Sequence, residues 1–288
     1  MFLAWFIKTV FILMFCNKAL NKEIKPEDWT TVELLAEEHP YIVAILNQDK
    51  EYICTGTVLD KRTVLTSGGC INPDPHYVVV GTAVLGQQVN NNNIFKVAFA
   101  RVHGDYVFEI QGSDPNISQM HSNIGLVFTA RPILEFFVNA PPIGNYYASE
   151  LREKKMIMIG FGHIKTSGAT VLQNQAYYQI PCKNPKWYYC ICGLEYADIS
   201  YVKPFGEGAP VLYGDEVVGI AASPSDSLGL KNNIIYNVFT VIGPYTSWIE
   251  KSKSDSSVLE LKTKLRNGVQ KIFVVETLIY VLFILAIY

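Results

Sequence analysis

Three short glycine-containing segments hold the residues best placed to do chemistry. In Phe205-Gly206-Glu207-Gly208-Ala209-Pro210 a single carboxylate stands among small residues. Glu207 in such a frame is a candidate general acid. Asn123, in Asn123-Ile124-Gly125-Leu126-Val127, follows His121 by two residues. Together His121, Asn123 and Glu207 are the only combination that suggests acid–base work. The third segment, Leu65-Thr66-Ser67-Gly68-Gly69-Cys70, offers no titrating group at Gly69. Lys203 precedes Glu207 by four residues and reads as its ion-pair partner. The other histidines, His39, His76, His103 and His163, are scattered and read as surface or hydrogen-bonded side chains. Cys190-Ile191-Cys192 is too tight for the usual C-x2-C metal hook, so neither a metal nor a cofactor is expected.

The elements that must position these residues read as short strands. Residues 41–46, 77–80, 156–159 and 217–221 are apolar and β-branched or aromatic, and clusters such as Asn72-Pro73-Asp74-Pro75 separate the runs. Asn90 to Asn93 reads as a loop tip. Helix does not alternate with strand, which excludes a parallel α/β sheet and points to an antiparallel all-β domain. The one helical pattern of the domain is its end, around residues 245–249. Hydrophobic residues make up 49% of the 288 and charged residues 17%, enough apolar material for a buried core. A net charge of −2 gives no reason to expect nucleic acid as a partner.

Both ends differ from the middle. Residues 1–19 hold two apolar runs broken by Lys8 and Thr9 and fit a signal peptide, with an uncleaved signal anchor as the alternative. Secretion would leave Cys54, Cys70, Cys182, Cys190 and Cys192, of which an oxidising compartment pairs four. Asn116-Ile117-Ser118 is the one glycosylation sequon, in a stretch that reads as an exposed loop. Residues 251–271 read as a polar linker and a short amphipathic segment. Residues 272–288 are apolar apart from Glu276 and Thr277. As helix they would rise about 25 Å, somewhat short of a bilayer core. This tail reads as a GPI signal, a membrane span or a docking helix, so a membrane tether is a candidate function of it.

Residues 40–250 resemble a trypsin-like serine protease domain. Pro40-Tyr41-Ile42-Val43 resembles the opening strand, and Cys54-Thr55-Gly56-Thr57-Val58-Leu59 resembles C-G-G-S-L-I. Val64-Leu65-Thr66 followed by Cys70 resembles V-L-T-A-A-H-C. Gly160-Phe161-Gly162 resembles the G-W-G turn, Gly208-Ala209-Pro210-Val211 resembles G-G-P-L, and Tyr245-Thr246-Ser247-Trp248-Ile249 resembles the terminal helix. The resemblance implies two six-stranded antiparallel β-barrels with a C-terminal helix and a site in the cleft between them. It also implies disulfides Cys54–Cys70 and Cys182–Cys192. Cys182–Cys190 is the alternative to the second.

In the family's frame Gly69 stands where histidine belongs, Asn123 where aspartate belongs and Glu207 where serine belongs. Phe205 replaces the oxyanion-hole glycine, and Gly206 replaces the aspartate that pairs with a cleaved N-terminus. Residues 20–39 carry no activation motif, Tyr201 would plug the specificity pocket, and Ala222-Ser223-Pro224 replaces S-W-G. The resemblance therefore implies a pseudoprotease with no catalytic residues. The expected role is a secreted, non-enzymatic cofactor, decoy or scaffold that binds an extracellular protein or peptide, in a process such as immunity or reproduction in seminal fluid. A cell-surface recognition module is the alternative, and a non-standard hydrolase a further one.

Overall fold

The computed structural model describes residues 32–33, 36–86, 90–111, 116–164, 169–182, 184–196, 201–203, 206–222 and 234–255. The signal-peptide and tail expectations, and those on Phe205, Ser223 and Pro224, lie outside these residues. The first strand, β1 (Val32–Glu33), stands apart from the first barrel. That barrel is built from β2 (Ile42–Leu46), β3 (Tyr52–Val58), β4 (Thr63–Thr66), β5 (Tyr77–Val79) and β6 (Ile94–Val102), then, after the separate hairpin β7 (Val107–Gln111) and β8 (Asn116–His121), β9 (Gly125–Thr129). Its strands close in the order β2-β3-β4-β9-β6-β5. Ala44 faces both Thr55 and Val79 across the two neighbours of β2, which completes the ring. Ile45, Val58, Val64, Val78, Phe95 and Val127 are fully buried and fill the interior. Closure leaves no sheet edge, and burial of such side chains contributes on the order of 2 kcal/mol each.

The second barrel follows. Its strands are β10 (Lys155–Ile164), β11 (Thr170–Ile180), β12 (Cys190–Tyr196), β13 (Tyr201–Lys203), β14 (Pro210–Tyr213), β15 (Glu216–Ala221) and β16 (Ile234–Val241). The order β11-β12-β16-β15-β14-β10 is a ring because β10 also pairs with β11, from Lys155 opposite Tyr178 to His163 opposite Thr170. β1 and β13 extend the ring's flanks. Met156, Met158, Tyr177, Ile191, Val211, Val218 and Phe239 form its core. The architecture is thus the two antiparallel six-stranded barrels that the resemblance implies.

Two apolar clusters cross the seam. Ile159, Phe161 and Leu172 of the second barrel join the core of the first. Leu65, Ile124 and Leu126 of the first pack with Val217, Ile220, Ile242, Tyr245 and Ile249. The two barrels are therefore joined by shared apolar packing.

Three boundaries differ from the sequence reading. β1 lies within residues 20–39 yet pairs with Asn174 and Gln173 of β11. Two residues are too few to show a period. Residues 246–255 are helical, so the linker cannot begin at 251. Long-range contacts hold that extra turn: Ser252 is buried, Lys253 lies 3.6 Å from Asp60, and Arg101 lies 3.4 Å from Asp255. Asn116 opens β8, paired with Gln111, rather than standing in a loop. Among the described residues no helix is long and apolar enough to cross a membrane.

Disulfides join Cys54 to Cys70 and Cys182 to Cys192, and among the described residues Cys190 is the free thiol. Closing the first loop, a separation of 16 residues, contributes about 3 kcal/mol in the chain-entropy model.

Candidate functional site

The turn after β4 carries Ser67, Gly68 and Gly69, the β8–β9 connection carries Asn123, and the connection entering β14 carries Glu207. These segments are far apart in sequence and meet where the two barrels face each other. The backbone around Glu207 is held on both sides: Gly206 N–H donates to Phe161 O at 2.8 Å, Thr55 N–H donates to Glu207 O at 2.9 Å, and Gly208 N–H donates to Ala221 O at 2.9 Å. Gly208 has φ +87°, and a β-carbon there would strike the Thr55 carbonyl and the Thr66 hydroxyl. Only glycine fits.

That turn sends the Glu207 side chain across to the first barrel. The Ser67 hydroxyl donates to Glu207 Oε1 at 2.6 Å. A β-carbon built on Gly69 would overlap the same Oε1. The carboxylate thus fills the volume that a side chain at residue 69 needs. The carboxylate turns into the first barrel and takes Ser67 as its partner; the side chain of Lys203, its expected ion-pair partner, lies outside the described residues.

Asn123 is fully buried and ties the two barrels together. Its Oδ1 accepts from Gly69 N–H at 3.0 Å, and its Nδ2 donates to the Ala222 carbonyl at 3.0 Å. An amide side chain suits these two bonds because it accepts at one end and donates at the other.

Burial pushes the Glu207 carboxyl up to about 7, with Ser67 and Asn123 pulling it partly back. Two tyrosines feel the same charge. Burial and Glu207 push Tyr106 up to about 12, and burial, followed by Glu207, raises Tyr52 above its ordinary range. The Tyr106 ring packs where a side chain on Gly68 would go, and the Tyr52 hydroxyl packs where one on Gly206 would go. Tyr52 also shares a hydrogen bond of 2.8 Å with Thr55 Oγ1.

The candidate residues thus converge only in part. Gly69, Asn123 and Glu207 come together. His121 does not join them: its Nδ1 lies 2.9 Å from the Asp105 carbonyl and 2.9 Å from Ser122 Oγ, and its ring lies against Tyr188. Three members of the site, Ser67, Tyr52 and Tyr106, are not recognisable from sequence. Ser67 sits inside a glycine-containing segment with no mark of its own, and nothing local distinguishes the two tyrosines.

Among the described residues, Cys54, Cys70 and Glu207 are the one group with metal-like spacing. The two sulfurs are bonded to each other and offer no thiolate, so this is not a ligand set. Ser67, the hydroxyl neighbour of Glu207, is fully buried.

Comparison with known proteins agrees with this geometry. The family model described as Trypsin matches residues 30–249. Among solved structures the fold is similar to neuropsin, a serine protease expressed in the limbic system of mouse brain. The identity is 22%, the TM-score 0.60, and the match covers 77% of this chain and 98% of that one. No curated protein matches the chain.

Proposed function

The chain belongs to the trypsin family, and we propose that it is a secreted member that cleaves no peptide bond and acts by binding an extracellular protein, as a cofactor, decoy or scaffold. The observation that carries this reading is the Glu207 carboxylate seated in the volume of a residue-69 side chain. Acyl transfer on this fold needs a hydroxyl nucleophile, an imidazole to take its proton and a carboxylate to orient the imidazole. At the positions that resemble those three stand an acid, a glycine and a neutral amide. A carboxylate is a poor nucleophile toward a peptide carbonyl. Removing one such group costs up to about a millionfold in turnover, and removing all costs little more.

Loops held on two rigid barrels can recognise partners without chemistry. The test is fluorophosphonate labelling of the secreted, mature protein. No label is expected on the wild type. Little is expected on the triple variant G69H/N123D/E207S, because Phe205 and Gly206 still depart from the family frame. Labelling of the wild type overturns the reading. Secretion has its own test at Asn116: a glycosidase-sensitive mobility shift is expected, and its absence counts against either export or the exposure of Asn116.

The apolar composition of residues 272–288 favours a second reading, a tether at the cell surface. Truncation after Asp255, the last described residue of the packed helix, should then release the domain to the medium. Full-length protein found free in the medium removes the tether and leaves the first reading standing.

A further inference from the structure

We infer that the turn carrying Tyr188 and Tyr189, together with the end of β8, forms a docking shelf for a cationic side chain, a guanidinium or ammonium, on a protein partner. The two tyrosines are 51% and 50% exposed, unusual for large aromatic side chains. The His121 ring lies with them, 5.4 Å from Tyr188 and 6.1 Å from Tyr189. Tyr189 in turn stands edge-on to Tyr245 at 5.9 Å.

The shelf is fixed before any partner arrives. Tyr188 N–H donates to Met120 O at 3.0 Å, Met120 N–H donates to Lys186 O at 3.3 Å, and Val241 N–H donates to Tyr189 O at 2.8 Å. Tyr189 has φ +53° and the adjoining Ser122 has φ +49°. The left-handed region is uncommon for residues with side chains, and a bulky one there is held by its surroundings. Preset rings lose little freedom on binding.

The polar groups select the sign of the ligand. The Asp105 carbonyl can only accept, so His121 Nδ1 carries the hydrogen of their 2.9 Å contact. In the neutral ring Nε2 is then a lone-pair acceptor. The Asp105 carboxylate, in the same turn, is 75% exposed and lies 3.9 Å from His103 Nδ1. Aromatic faces are negative and attract a cation placed over them. An imidazole acceptor, a carboxylate in the adjoining turn and two half-exposed tyrosine rings match a guanidinium or an ammonium. An aliphatic side chain uses neither the carboxylate nor the imidazole acceptor, and a neutral sugar hydroxyl gains no charge pairing from the carboxylate.

The shelf relies on the binding-protein reading only for its biological use, and its test is independent of catalysis. The mature chain with 13C-labelled tyrosine rings is titrated at pH 8 with N-acetyl-arginine methylamide, then with the neutral isostere N-acetyl-citrulline methylamide. The arginine probe is expected to shift the Tyr188 and Tyr189 resonances with millimolar affinity, and citrulline to bind at least about fivefold more weakly. Y188A, Y189A and D105N are each expected to weaken the arginine probe by roughly three- to tenfold. All three positions are exposed, and an unchanged near-ultraviolet circular dichroism spectrum verifies the fold. Equal binding of citrulline, stronger binding of N-acetyl-leucine methylamide, or no ring shift at all overturns the shelf and leaves the proposed function untouched. Fluorophosphonate labelling does the reverse.

Discussion

Glu207 Oε1 stands where the β-carbon of any larger residue at Gly69 would stand, and Ser67 holds it there with a 2.6 Å hydrogen bond. One residue is small because the other is large. The two lie on different barrels, so their fit is a property of the interface.

The first prediction follows directly. G69A should destabilise the domain by about 1–3 kcal/mol, the range for overpacking a filled site. In an E207S background the same change should cost less, with a coupling of about 1 kcal/mol or more. Urea unfolding of the four-member cycle measures it. Strict additivity would mean that the carboxylate moves aside freely.

Asn123 gives the second. N123D keeps the acceptor for Gly69 N–H but loses the donor to the Ala222 carbonyl. A buried carbonyl left unpaired costs roughly 1–3 kcal/mol. The new carboxylate also adds a like charge close to Glu207, which should raise the Glu207 titration further above its value of about 7. A carbon-detected titration of the Glu207 carboxyl reads the shift, and an unchanged or lower value defeats the argument.

pH dependence is the third. Glu207 moves from an ordinary value of 4.5 to about 7 on folding, chiefly through burial. The folded state therefore holds this proton more tightly than the unfolded chain. Its contribution is fully present below pH 4.5, falls as pH rises from 4.5 to 7, and is gone above 7. The loss amounts to the order of 2 kcal/mol, because a partly exposed carboxylate is screened by solvent. E207Q removes this dependence while keeping an acceptor for Ser67. Urea midpoints at pH 5 and pH 8 should differ more for the wild type than for E207Q.

Cys190 supplies the fourth. Burial pushes its thiol up to about 12, and Sγ donates to the Tyr188 carbonyl at 3.2 Å. The thiolate is the reactive form, so iodoacetamide at pH 7.5 should modify native Cys190 at least about a hundredfold more slowly than the urea-unfolded chain. Rapid labelling of the folded protein would show the thiol open to solvent.

The frame of this molecule is readable in its sequence where local chemistry repeats a pattern. Cys54 and Cys70 sit in segments that resemble the family's strands and pair as the resemblance implies, and Gly208 opens the segment that resembles G-G-P-L. β1 is hidden because two residues carry no period. The helical turn at 251–255 is hidden because its polar residues resemble a linker until Lys253 meets Asp60. The interior of the site is hidden for a related reason. Ser67 reaches a carboxylate 140 positions away, and the Tyr52 hydroxyl fills a space next to Gly206 that no neighbour in sequence defines. Such partnerships belong to the packing of two barrels, and nothing in a window of adjacent residues encodes them.

The space beside Gly206 has a historical consequence. The Tyr52 hydroxyl lies where a β-carbon at residue 206 would lie, much as Glu207 lies against residue 69. Each pair is a ratchet. A variant that gains a side chain at 206 while Tyr52 remains must pass through an overpacked intermediate, and the same holds at 69 while Glu207 remains. Single steps in that direction lower stability before any chemistry can reward them. Selection therefore meets a valley on that path, while drift among the exposed loop residues stays open to it.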